Sequence, residues 1–309
     1  MKKIIHLILG LCLMACETTV SPDLNRPAAI IVIDAWLTHE SGAQEVKLTR
    51  SQTYFDSSDP QMISGATVQV KDLTDGTTYQ FLESETGYVW NGDTPFGEIG
   101  NQYQLAVEVE GERFEAVARL GRVPEVDFVV FRHNEKDYDI LEDYFSVEFF
   151  ASDLPGSGDT YWIRTWKNGW LLNKPSEINI AYDAGFSAGQ QVDGVVFHKQ
   201  IRRDYLNPME ERSDKDNYYH PPYEVDDSVY VEIHSIDPVA YDFLSAVRTQ
   251  TDRPGGFSEL FAVPLANVIT NIHPTDPNSN TAVAGFFNMA AISSGSVRLT
   301  ESMAGQLQN

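Results

Sequence analysis

The sequence predicts an all-β protein, and three observations carry that expectation. Residues rich in β-branched and aromatic side chains recur in short runs that alternate apolar with polar, the two-residue period of a half-buried strand. Between the runs stand Asp75-Gly76, Glu110-Gly111 and Asn168-Gly169, dipeptides suited to the tight turns of hairpins. One stretch alone, residues 237–252, reads as a convincing helix.

The first strands are "AIIVIDAWLT" (29–38) and "EVKLTRSQTY" (45–54), joined across the turn-like "HESGAQ". Next, "ATVQVKDLTDGTTYQFLES" (66–84) folds back at Asp75-Gly76, "GYVWNG" adds a short strand, and "NQYQLAVEVEGERFEAVARL" (101–120) folds back at Glu110-Gly111. Seven or so short strands with regular turn spacing predict an immunoglobulin-like or prealbumin-like β-sandwich over 29–122.

Pro124 in "GRVPEVDFVVF" breaks the pattern and opens a second β-rich domain, 123–309. There "DYFSVEFFASD", "TYWIRTWKNGWLL", "EINIAYDAG" and "GVVFHKQIRRDYL" read as strands, while the charged "NPMEERSDKDNYYHPPYEVDD" (207–227) reads as an exposed loop. "SVYVEIHSI" alternates cleanly. A helix is expected near 238–250, with Asp237 as its cap, Pro238 at its first position, and Val239, Phe243, Leu244 and Val247 on one apolar face. "FAVPLANVITNI" and "AVAGFFNMAAISSGSVRLT" return to strand.

A chain of 309 residues exceeds the size at which single cores stop growing, so two domains are expected. Its 42% hydrophobic and 11% aromatic residues suffice to offset the ordering entropy of a folded core. The 45 acidic against 22 basic residues give a net charge of −23. That sign repels phosphate backbones, so nucleic acid is not an expected partner.

Residues 1–15 read as a signal peptide: Lys2 and Lys3 precede an apolar run from Ile4 to Met14 that is too short to span a bilayer. Leu13-Met14-Ala15-Cys16 resembles the lipobox of bacterial lipoproteins. The small residue admits the peptidase, and only the thiol of Cys16 can take up a diacylglycerol thioether. With the amino terminus also acylated, at least two chains hold the protein to a membrane. This lipid on Cys16 is the only added group expected. Residues 16–28 form a lipidated tether, and Cys12 leaves with the leader, so no internal disulfide is possible.

Few motifs carry chemistry. Gly185-Phe186-Ser187-Ala188-Gly189 matches the G-x-S-x-G nucleophile elbow, but that motif works at a strand-to-helix turn and here it lies between two strand-like runs. A serine hydrolase using Ser187 is the remote alternative. Asp276, Asn278 and Asn280 have the alternate spacing of a calcium loop without its glycine or its final glutamate, and Asp214, Asp216, Asp226 and Asp227 could gather a cation with His220. No metal site is expected. Trp36, Trp90, Trp162, Trp166 and Trp170 read either as core residues of the sheet or as aromatic faces that stack on sugars or anchor an interface, and Trp162, Trp166 and Trp170 are the ligand-binding candidates. Asp227-Ser228-Val229 resembles an O-glycan acceptor of exported Bacteroidota proteins.

The stretches "IIVIDAWLT", "VKLTRSQTYF", "ISGATVQVKD", "TGYVW", "GNQYQLAVEVEGERFEA", "VPEVDFV", "GGFSE", "NVITNI" and "AVAGFF", in that order, resemble a Bacteroidota outer-membrane lipoprotein family described as domain of unknown function 4249. The resemblance implies a neighbour: a TonB-dependent β-barrel receptor, for which this protein is a non-enzymatic accessory or ligand-capture subunit. The other reading is a cell-surface glycan- or peptide-binding module acting without a receptor. Outer-membrane localisation is expected. Glu17 followed by Thr18 and Thr19 leaves open which membrane face the domains occupy.

Overall fold

Alternation along the chain is realised almost literally. The computed structural model describes residues 29–308 except 54, 55, 57 and 213–217. The leader, Cys16, the tether, Asp214 and Asp216 thus lie outside the described residues. In β1 (Ile31–Thr38), Ile31, Ile33, Ala35 and Leu37 are buried and the intervening residues face away. β2 (Gly42–Arg50), β3 (Thr67–Asp72), β4 (Thr78–Glu83), β5 (Tyr88–Gly92), β6 (Gln102–Val109) and β7 (Glu112–Arg119) complete the seven expected strands.

Hairpin chemistry also matches. Glu110 and Gly111 both take positive φ (54° and 83°), as do Asn168 and Gly169 (52° and 82°); this twist fits a two-residue turn to its flanking strands. At Asp75-Gly76 only Gly76 is left-handed, at 86°. That turn is longer, and the Asp72 and Asp75 carboxylates accept from the amides of Thr74 and Thr77.

The linear division at residue 122 differs from the spatial one. The second half continues with β8 (Phe128–Asn134), β9 (Tyr144–Phe150), β10 (Thr160–Lys167), β11 (Trp170–Leu171), β12 (Asn179–Tyr182), β13 (Ser228–Ile236), β14 (His273–Pro274), β15 (Val283–Ala290) and β16 (Ile292–Arg298). Of these, β14 and β15 join the first sheet, whose order is β14-β7-β6-β3-β4-β5-β2-β1-β15. β15 pairs parallel to β1, with Ile33 opposite Gly285 and Trp36 opposite Asn288. It also approaches β7, so the sheet rolls into a sandwich-like layer around one core that includes Ile33, Leu48, Val70, Leu105, Phe114 and Phe287. Asn271 stands in for a strand there: its side-chain amide donates to the Phe287 carbonyl (2.8 Å) and accepts from the Phe287 amide (3.0 Å).

The second unit is the sheet β11-β10-β13-β16, with β12 on β10 and the β8–β9 hairpin packed over it. Phe149, Tyr161, Phe197, Ile201 and Val231 fill its core. The helix Pro238–Thr251 forms where expected, but its face is rotated: Val239 is exposed, and Ala240 and Leu244 are buried against Ile180, Ile236 and Phe286, bridging both units. Asp237 occupies the capping position, but its side chain makes no capping hydrogen bond. Its carboxylate accepts from the Arg119 amide at 2.9 Å instead, because the junction between the units competes for the same oxygens.

Two stretches read as strand behave otherwise. In "GVVFHKQIRRDYL", Lys199–Arg203 is helical: Phe197 and Ile201 are one turn apart and both buried, and the His198 ring accepts from the Gln200 amide. "FAVPLANVITNI" pairs with no strand among the described residues. Side chains of the preceding segment hold it, with Arg253 donating to the Val263 carbonyl and Gln250 accepting from the Ala266 amide. Leu260, Leu265 and Ile269 are left exposed.

Candidate functional site

The even-numbered side chains of β10, namely Trp162, Arg164 and Trp166, face away from the core that Tyr161, Ile163 and Thr165 enter. Register places them beside His234, Glu232 and Tyr230 of β13, and β16 contributes Ile292, Ser294 and Ser296 in the next row. This lattice is the floor of a cleft. β1 of the first sheet provides the wall, with Trp36 edge-on to Trp162 at 5.0 Å and stacked on Phe286 at 5.5 Å. The Trp162–His234 end is closed by these rings, whereas Tyr230, Ser294 and Asp34 are exposed at the open side.

Arg164 is clamped between two indoles, its guanidinium carbon 4.9 Å from the Trp162 ring and 5.0 Å from the Trp166 ring. Such cation–π contacts hold the charge in place, each contributing about 0.5–2 kcal/mol. Among the described residues it makes no hydrogen bond or ion pair, and its Nε is buried without a partner. Burial pulls its pKa down against the opposing charges of Glu232 and Asp34.

Glu232 is fully engaged. Its oxygens accept from Tyr230 Oη at 2.9 Å and meet His234 Nε2 at 2.7 Å, which places the proton of the neutral imidazole on Nε2. Burial would raise the Glu232 carboxyl, but the hydrogen bonds from His234 and Tyr230 and the Arg164 charge outweigh it and leave it below the usual range. Burial depresses His234, which Glu232 only partly offsets. Across the cleft, Asp34 keeps solvent access but is walled by protein. That desolvation raises its pKa against Lys47, Trp36 and Arg164.

Trp170 is separate from this site. It pairs with Lys167, and directly opposite residues of a hairpin share a face, so it projects to the other side of the sheet from Trp162 and Trp166. The three tryptophans therefore do not form one row. Trp170 is 81% exposed and borders a groove of about 370 Å³ with Lys167, Lys174, His220 and Pro222. The sequence pointed to Trp162 and Trp166, but Arg164, Glu232, His234 and Asp34 were missed. The signal was present: the alternating strands 160–167 and 228–236 carry charge in the middle of otherwise aromatic faces.

The remaining motifs do not come together. Ser187 is exposed on a turn after β12 and forms no hydrogen bond with any described histidine; His198 of the same region contacts the Phe186 ring instead. Asp276 Oδ1 accepts from the Asn278 amide at 2.8 Å, an Asx turn, while Ser279 and Thr281 bind Glu112. Asp227 binds Asn168 and Lys167, and Ser228 lies at the start of β13, its amide donating to Asn168.

One acidic group could hold a cation. Carboxylate oxygens of Asp153, Asp183 and Asp193 lie within 4.8 Å of one another. Each is also served by protein donors: Tyr161 Oη and the Gly194 amide for Asp153, the Gly158 and Asp159 amides for Asp183, and the Gly156 amide for Asp193. These N–H and O–H groups account for the convergence on their own.

The two units meet at Ser235. Its hydroxyl donates to the Gly121 carbonyl at 3.1 Å and accepts from the Ala291 amide at 2.8 Å, pinning both segments where the chain crosses between sheets. Arg122 braces the same junction through Asp159, with nitrogen–oxygen distances of 3.1 and 2.6 Å.

No curated protein matches the chain. A family model described as "Domain of unknown function (DUF4249)" matches residues 17–296, a span that takes in the first sheet, the second as far as Ser296, the connecting helix and every residue of the cleft. The chain belongs to this family of domains of unknown function.

Proposed function

We propose that the protein is a non-enzymatic, lipid-anchored outer-membrane protein that captures ligand as an accessory subunit of a TonB-dependent receptor. The observation that carries the capture role is the cleft between β1 and β10. Its polar groups are a clamped arginine, an engaged glutamate–histidine pair and an open aspartate, set among the rings of Trp36, Trp162, Trp166, Tyr230 and Phe286. These groups suit recognition of a ligand's polar atoms, with aromatic faces beside them to pack on its apolar parts. The leader that ends just before Cys16 supports the anchor, and the resemblance to outer-membrane lipoproteins supports the receptor and a Bacteroidota source.

Purification of the full chain from membranes in mild detergent should bring down a large β-barrel protein. Recovery of a lone monomer across several detergents refutes the receptor role. A second reading, a surface module that binds glycan or peptide without a receptor, draws on the exposed Trp170 groove. It predicts that Trp170→Ala weakens binding to whole cell-wall or glycan preparations with no barrel protein present.

A further inference from the structure

Among the described residues, Arg164 has a buried Nε with no partner. Its guanidinium offers five N–H donors in a planar fork, and among the described residues no oxygen accepts from any of them. Buried Nε makes this costly, because a buried polar group without a partner loses its water without replacement. Structural arginines of this protein are served differently: Arg122 is matched to Asp159, Arg113 to Glu108 and Glu115, and Arg132 to Glu148. Arg164 has two carboxylates nearby and is paired with neither. Glu232 is turned to Tyr230 and His234, and Asp34 stands across the cleft on the other sheet.

We propose that this cleft binds a carboxylate group of a ligand, with the Arg164 fork as its anchor and Trp162 and Trp166 as the clamps that hold the fork open. This deepens the capture reading and rests on it. A carboxylate is planar, carries one charge, and meets a guanidinium through two parallel hydrogen bonds. A phosphate dianion carries more negative charge past Asp34 and Glu232, so the surrounding field selects against it. The exposed ring of Tyr230 and the serines of β16 offer a surface for the part of the ligand beyond the carboxylate, and Asp34 accepts a hydroxyl or ammonium proton from it. Two sources supply such a group: an acidic sugar and an acidic peptide.

The test uses the full chain in detergent and two probes, trigalacturonate and triglutamate, each compared with its methyl ester. Binding is followed by calorimetry and by tryptophan fluorescence, since indoles flank the site. One acid is expected to bind, its ester is expected to bind at least ten-fold more weakly, and the acid that binds names the source. Arg164→Lys keeps the charge and loses the fork, and its affinity should fall at least ten-fold while its thermal melting stays near that of the parent. Asp34→Asn should strengthen binding of the acid, by removing repulsion. Failure of both acids to bind, equal binding of acid and ester, or unchanged affinity in Arg164→Lys overturns the inference. Recovery of the barrel partner together with any of these failures overturns the carboxylate site and leaves the receptor role standing. Carboxylate binding without a barrel partner does the reverse.

Discussion

Glu232 and His234, neighbours on one face of β13, share a 2.7 Å hydrogen bond that joins an ionised carboxylate to a neutral, buried imidazole. Glu232 faces this imidazole from its own strand, Arg164 and Trp162 from β10, and His39 from the first sheet. The folded state resists protonating His234, whereas the unfolded chain accepts that proton near the ordinary imidazole value of about 6.5. Stability contributed by the neutral ring is thus complete above pH ~6.5 and declines as pH falls toward the lower folded value. Glu232 adds a second decline below 4.5, its ordinary value, because its folded pKa is also depressed. His234→Gln keeps an N–H donor for Glu232 and should flatten the slope between pH 6.5 and 5. Denaturant midpoints across that range measure it; an unchanged slope places the titration elsewhere.

Gly285 takes a φ of 95°, and a Cβ there would sit 2.0 Å from the Ile33 carbonyl oxygen. Neither the backbone of β1 nor that of β15 can yield without breaking the parallel ladder. Gly285→Ala is expected to cost about 4 kcal/mol, the range of severe core lesions. It should also abolish amide-exchange protection along Ile31–Thr38. Gly42, also left-handed but with open space around it, provides the control: Gly42→Ala should cost about 1–2 kcal/mol and leave β1 protected.

Ser235→Ala removes the hydroxyl that serves both the Gly121 carbonyl and the Ala291 amide. Leaving these groups without that partner should cost about 2 kcal/mol, seen as a lower urea midpoint. Unequal transitions by tryptophan fluorescence and far-ultraviolet dichroism would then report that the units have begun to unfold separately.

Tryptophans of the β10–β11 hairpin should divide by face. Trp162→Ala opens a void against Trp36 and Phe286 and is expected to cost about 3 kcal/mol. Trp170→Ala touches an exposed ring and should stay within about 0.5 kcal/mol of the parent. Equal losses at both positions would contradict the face assignment drawn from the Lys167–Trp170 pairing.

Cys16→Ala tests the anchor alone: it should abolish labelling by a radioactive fatty acid and release the protein from membranes. Retention on membranes with unchanged labelling refutes lipidation at that thiol.

Local chemistry was legible in the sequence. Glu110-Gly111 and Asn168-Gly169 demand left-handed backbone and so announce their hairpins, and the alternation in 31–38 assigns the buried face of β1 residue by residue. Contacts remote in sequence were less legible. Nothing local to "AVAGFF" says that it pairs with residues 31–38, because strand periodicity is silent on the partner. The helix at Lys199–Arg203 was concealed by β-branched neighbours, although Phe197 and Ile201 already had helical spacing. The cleft was half legible: the indoles drew attention, but the arginine between them had no motif. The hairpin register, which sends Trp170 to the opposite face, emerges only once the turn is counted.

The pairing of Ile31 with Val283 has a consequence for biogenesis. A ribosome delivers β1 early and β15 among the last strands, so the edge of β1 that β15 will cover stays bare through most of synthesis. Bare strand edges recruit other strands, including those of neighbouring chains. The nascent chain therefore carries an edge open to wrong strand pairing until its final segments arrive, and a chain truncated before residue 283 should aggregate through β1 rather than fold as a smaller domain.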